Sequence, residues 1–139
     1  MKKIIEVSEL EKSFGTKKVL KDITFHVNEG EIFGFLGPSG SGKTTTINIL
    51  TGQLFPTSGT VKVADIKPSA FKYPELRAIG VVSDKSGYYE KMTVSDNLAI
   101  YAKLHEIKLD QVESCLKKVG LFSDKKKSQK NYRQECFRE

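Results

Sequence analysis

Gly37-Pro38-Ser39-Gly40-Ser41-Gly42-Lys43-Thr44 matches G-x-x-x-x-G-K-[ST] at every fixed position. Such a loop constrains the fold, because it works only between a strand and a helix. The flanking residues supply both patterns. Glu31-Ile32-Phe33-Gly34-Phe35-Leu36 is a short, nearly continuous apolar run, which predicts a strand buried on both faces. Asn28-Glu29-Gly30 ahead of it is turn chemistry. After the loop, Ile47, Ile49 and Leu50 predict a helix running from Thr44 to Thr51, with Gly52 as its stop. That stretch is rich in threonine, so tertiary packing must hold the helix.

The chemistry follows from the loop. Gly37, Gly40 and Gly42 let the backbone turn tightly and approach an anion closely. Successive N–H groups from about Gly40 to Thr45 can form a nest for phosphate oxygens, reinforced by the field of the helix N-terminus. Pro38, Ser39 and Ser41 complete the cradle. Lys43 supplies a point charge to the outer phosphates, and the Thr44 hydroxyl is placed to ligate Mg²⁺.

The chain has 139 residues, enough for one domain with a core. No apolar run approaches membrane-spanning length, and Met1-Lys2-Lys3 leads into no secretory signal, so a cytoplasmic location is expected. Cys115, Cys136, His26 and His105 share no metal-ligand spacing. Cys115 reads as a semi-buried helical thiol and His26 as a surface residue on the polar phase of a strand. Net charge is +6. Residues 117–139 hold eight basic and three acidic side chains, most of that excess. They lack an aromatic-basic pattern, so they read as a solvated helix end and loop, and no nucleic acid is expected.

Elsewhere, alternation predicts strands over Lys3–Leu10, Val19–Val27 and Thr60–Ala64, with antiparallel pairing of the first two. Ala78-Ile79-Gly80-Val81-Val82-Ser83 predicts a parallel strand beside the loop strand. Pro68 and Pro74 keep any helix between Lys67 and Leu76 short. Thr93-Val94-Ser95-Asp96 and Asp110-Gln111-Val112-Glu113 each have the form of a capping box opening a helix, the second ended by Gly120.

Several segments then agree in order: Lys12-Ser13-Phe14-Gly15, Val19-Leu20-Lys21-Asp22-Ile23, Glu29 to Leu36 with the loop, Pro56-Thr57-Ser58-Gly59, Ile79-Gly80-Val81-Val82 and Met92 to Leu98. Up to about Tyr132 the chain resembles the N-terminal half of an ATP-binding cassette (ABC) transporter ATPase subunit. The resemblance implies an α/β P-loop NTPase core of ABC ATPase type. An N-terminal antiparallel β subdomain and the start of a helical subdomain would flank that core, making an incomplete domain over 1–132. It implies ATP and Mg²⁺ as ligands, with Phe14 stacking on adenine, Val19 beside it, and Lys43 as the catalytic lysine. It further implies a second ATP-binding subunit as dimer partner and a transmembrane permease at the inner face of the cell membrane. Ser86-Gly87-Tyr88-Tyr89-Glu90 resembles exporters of the bacitracin and lantibiotic resistance type, whose loop here contacts the permease. Tyr88 and Tyr89 are the expected anchors.

Two departures qualify these expectations. The family usually places glutamine where this chain has Asp84, which reads either as a metal-side and catalytic carboxylate or as an ordinary loop aspartate. Residues 133–139 form a divergent tail where a signature segment is expected, read as a frameshifted or truncated product. Binding of ATP without efficient turnover is the expected outcome. The alternatives are a non-catalytic nucleotide-binding or regulatory module, a soluble ABC protein outside transport, and an unrelated P-loop kinase or GTPase.

Overall fold

The computed structural model describes residues 2–82 and 87–128, and the chain divides between Gly80 and Val81 into two compact units. Asp84 and the tail 133–139 lie outside the described residues.

The first unit is built on a three-stranded antiparallel sheet of order β2-β1-β3, with β1 at Lys3–Phe14, β2 at Lys17–Asn28 and β3 at Ser58–Val63. Both long strands run further than simple alternation predicts, because bulges reset their phase. Val7 faces Phe25 and Leu10 faces Ile23, so β1 spends an extra residue there, with Glu9 at φ 52°. Leu10–Ile23 to Lys12–Leu20 spends the extra residue on β2 instead, with Asp22 at φ 50°. The shifts bring Val7, Leu10 and Leu20 to one buried face. Helix α1 (Lys43–Leu50) lays Ile49 on that face, and Val61 of β3 closes the cluster. A 3₁₀ turn at Pro68–Ala70 and the five-residue helix α2 (Tyr73–Arg77) follow, as short as their prolines require.

The apolar run before the loop corrects the sequence expectation. Residues 31–36 form no regular strand, and none of them is buried; only Phe35 is half-buried. Phe33 stacks on Phe25 of β2 at 5.2 Å between ring centres, and Phe35 lies 5.6 Å from the same ring. Ile32 and Leu36, on the other phase, are 100% and 95% exposed. A strand buried on both faces needs hydrogen-bonded neighbours, and among the described residues neither this run nor 78–82 has them. Val82 is likewise fully exposed.

The second unit is a helical hairpin of α3 (Val94–Leu104) and α4 (Asp110–Lys118), closed around Val94, Ala102, Val112 and Leu116. Thr93 caps α3 by accepting from the Asp96 amide at 3.1 Å. The reciprocal half of the box is replaced: the short Asp96 carboxylate accepts the Thr93 hydroxyl at 2.6 Å. At α4 the expected box does not form. Leu109 occupies the cap position with no side-chain bond, and Glu113 instead accepts from Lys125 at 2.6 Å. That hydrogen bond and the nearby ammonium hold the Glu113 carboxyl below its usual range. Gly120, at φ 73°, follows the end of α4 as expected. Cys115 is exposed rather than semi-buried. Lys117 and Lys125 lie over the Phe122 ring, and Lys127 pairs with Asp124 at 3.0 Å.

Asn97 organises the segment before α3. Its side-chain oxygen accepts from the Tyr89 amide at 2.7 Å, and its amide nitrogen donates to the carbonyls of Tyr89 and Thr93, each at 3.0 Å. The residue is buried, so truncation leaves unpaired backbone groups. Asn97→Ala is expected to cost the second unit about 1–3 kcal/mol. The Tyr89 amide should then exchange with solvent faster than in the parent, as read by hydrogen exchange.

Candidate nucleotide-binding site

Strand β2 and the start of α1 face each other across a cleft of about 630 Å³ lined by Lys17, Lys18, Val19, Ser39, Gly40, Gly42, Lys43, Thr44 and Thr45. The glycines set its shape. Gly40 and Gly42 have φ of 79° and 95°, conformations that side chains rarely adopt. Gly42 is the residue before α1, and a Cβ there would stand 2.3 Å from Leu20 Cδ2. A Cβ on Gly37 would meet Ser41 Oγ at 2.7 Å. At Gly40 and Gly42 the loop therefore favours glycine, whereas at Gly37 the close neighbour is a movable serine side chain.

The buried Thr46 hydroxyl donates to the Gly42 carbonyl at 3.1 Å, and its amide donates to the same oxygen at 2.8 Å. These bonds fix the first turn of α1. Helix geometry then leaves the amides of Lys43, Thr44 and Thr45 without intrahelical acceptors, directed out of the helix start. The expected nest from Gly40 to Thr45 is one donor smaller, because the Ser41 amide donates to the Pro38 carbonyl at 3.2 Å. Lys43 Nζ donates to the carbonyls of Gly37 and Pro38 at 2.6 and 2.8 Å, with Ser41 Oγ at 3.4 Å. The ammonium thus sits inside the loop, held by neutral oxygens, with its charge uncompensated by any carboxylate of the loop.

Of the residues singled out by sequence, Val19, Ser39, Gly40, Gly42, Lys43, Thr44 and Thr45 come together at the cleft, while Gly37, Pro38 and Ser41 form its loop wall. Phe14 does not line the cleft. It ends β1 directly opposite Lys17, 48% exposed. Asp84 lies outside the described residues. Lys17 and Lys18 were not anticipated; two adjacent cations just before Val19 were the available signal. Lys18 donates to Glu11 at 2.6 Å. This bond, with one from the Ser58 hydroxyl, holds the Glu11 carboxyl below its usual range. Among the described residues no group of three His, Cys, Asp or Glu side chains could hold a metal ion, and no helix is long and apolar enough to cross a membrane.

The arrangement suits an anion such as a phosphate group. It offers helix-start amides, one ammonium inside the loop, a threonine hydroxyl at the helix start and a strand wall reaching Val19.

Comparison with known proteins agrees with this geometry. The profile of the ABC transporter family matches residues 20–136. The bacitracin transport ATP-binding protein BcrA of Bacillus licheniformis is 38% identical over 128 residues, covering 91% of this chain and 42% of that protein. BcrA of Enterococcus faecalis is 34% identical over 133 residues, covering 95% of this chain and 43% of its own length. A solved structure described as the ATP-binding subunit of an ABC transporter superposes with a TM-score of 0.73 at 24% identity, over 90% of this chain and 54% of that one; at this identity it establishes the fold. The chain spans about two fifths of the length of the BcrA proteins it matches. With its phosphate loop, its fold and the family match over residues 20–136, the chain belongs to the ABC transporter family.

Proposed function

We propose that this chain provides the ATP-cradling part of an ABC exporter's ATP-binding subunit. The observation that carries the reading is the cleft between β2 and α1, where the loop glycines, the Lys43 ammonium and the Thr44 hydroxyl converge. Lys43 and the amides at the start of α1 would hold the phosphates. Gly37, Pro38, Ser39, Gly40, Ser41, Gly42 and Thr45 would shape the cradle, with Val19 beside the base. Phe14 would stack on adenine through its exposed ring. Thr44 would ligate Mg²⁺, with Asp84 as a second oxygen ligand; that ion supplies charge neutralisation of the phosphates.

The relatives named for bacitracin transport support export as the process served. The partners proposed are a second ATP-binding subunit and a transmembrane permease at the cytoplasmic face of the membrane. The permease would be met by the segment holding half-buried Tyr88 and exposed Tyr89.

No carboxylate lines the described cleft, so these 139 residues by themselves are proposed to bind ATP without efficient turnover. The test is paired: ATP binding by calorimetric titration and steady-state phosphate release. Saturable binding with phosphate release at background is expected. Release above background that disappears in Lys43→Ala would overturn the second half of the reading, and failure to bind ATP would overturn the first.

A further inference from the structure

We infer that Lys12 is a positioning residue for the nucleotide base, a role that rests on the reading of Phe14 as the adenine platform. The Lys12 ammonium lies 5.0 Å from the centre of the Phe14 ring, over its face. The same nitrogen donates to the Phe55 carbonyl at 2.7 Å, across 43 residues of sequence. One face of the ring is therefore taken by a cation that is itself anchored, and the other is the face left for a stacking partner.

The anchor is firm because the segment after α1 is stitched to the end of β1. The Thr57 amide donates to the Glu11 carbonyl at 2.9 Å, and the Ser13 amide donates to Thr57 Oγ1 at 3.0 Å. Leu54 packs against the core of the first unit, fixing the start of the segment. The segment after α1 thus serves the ring: Thr57 ties it to β1, and Phe55 just before presents the carbonyl that holds the lysine over Phe14.

The ring is also suitably placed. Phe14 is directly opposite Lys17 in the antiparallel pair, so the two side chains leave the sheet on the same face. Lys17 lines the phosphate cleft. The ring therefore stands on the same face of the strand pair as a residue that lines the cleft. Without the lysine the half-exposed ring gains rotamers, and stacking must then pay their entropy.

The experiment uses the full chain and two probes, ATP and inorganic tripolyphosphate, titrated against the parent, Phe14→Ala, Lys12→Met and Lys12→Arg. Lys12→Met is expected to weaken ATP about two- to fivefold, the scale of an exposed cation–π contact, and to leave tripolyphosphate unchanged. Lys12→Arg should return ATP affinity to the parent value, since guanidinium also lies over aromatic rings. Phe14→Ala should weaken ATP on the order of tenfold with tripolyphosphate unchanged. If Phe14→Ala changes neither ligand, the platform reading fails and this inference falls with it. If Phe14→Ala acts on ATP alone but Lys12→Met leaves ATP binding intact, the inference alone is overturned. It is equally overturned if Lys12→Met weakens both probes or abolishes folding, because the lysine is then a structural strut of the sheet end.

Discussion

Lys43→Ala is expected to weaken ATP binding about 10- to 100-fold, the loss of one or two hydrogen bonds to a charged group. The ammonium is held by the Gly37 and Pro38 carbonyls at 2.6 and 2.8 Å, inside the loop rather than out in solvent. Those partners are neutral, so the positive charge remains available to an anion. The helix-start amides persist in the variant, which is why binding should weaken and not vanish. Lys43→Arg should recover only part of the loss, because a planar fork cannot take the place of a compact ammonium among those carbonyls. Calorimetric titration reads the affinity, and a denaturant melt should move by no more than about 1 kcal/mol. Unchanged ATP affinity would place the nucleotide away from this loop.

Gly42→Ala should affect the fold and the site together. Two costs coincide at that position. A φ of 95° is strained for any residue with a Cβ, and the added methyl would stand 2.3 Å from Leu20 Cδ2. Leu20 is 1% exposed and belongs to the core with Val7, Leu10, Ile49 and Val61, so it has little room to withdraw. Backbone strain and overpacking together are expected to cost about 2–4 kcal/mol. Because Gly42 also precedes α1 and its carbonyl holds Thr46, relief of the clash would tilt the helix start and its amides. A lowered unfolding midpoint accompanied by weaker tripolyphosphate binding is the expected pair of results. An unchanged melt would mean that Leu20 repacks freely and that the junction between core and loop is soft.

These two residues illustrate how far the sequence could be read. The loop's identity, its helix and the glycine stop at Gly52 all follow from local chemistry, since glycine's freedom and a lysine's charge depend on few neighbours. The close packing of Gly42 on Leu20 did not follow, because bulges at Glu9 and Asp22 decide which strand residues face inward. A bulge changes the phase of everything beyond it and leaves only a weak composition signal. The second capping box failed for a related reason. Asp110 to Glu113 has the right spacing, but Lys125, 12 residues beyond Glu113, offers the carboxylate a charged partner, and the cap is not made.

The apolar runs mark the other boundary. Composition alone makes 31–36 a strand buried on both faces, whereas in the fold Phe33 and Phe35 only contact the Phe25 ring, Phe33 staying exposed, and Ile32 and Leu36 stand in solvent. Apolar content states that a segment can be buried; hydrogen-bonded neighbours decide whether it is a strand and on how many sides. The sequence by itself therefore determined the glycine-rich loop and the helix after it, the antiparallel pairing of the first two strands and the family, because each rests on short-range residue patterns. Only the tertiary structure decided the cleft wall of Lys17 and Lys18, the Lys12 clamp on Phe14 and the Asn97 knot, because each joins residues whose proximity is set by register, bulges and helix packing.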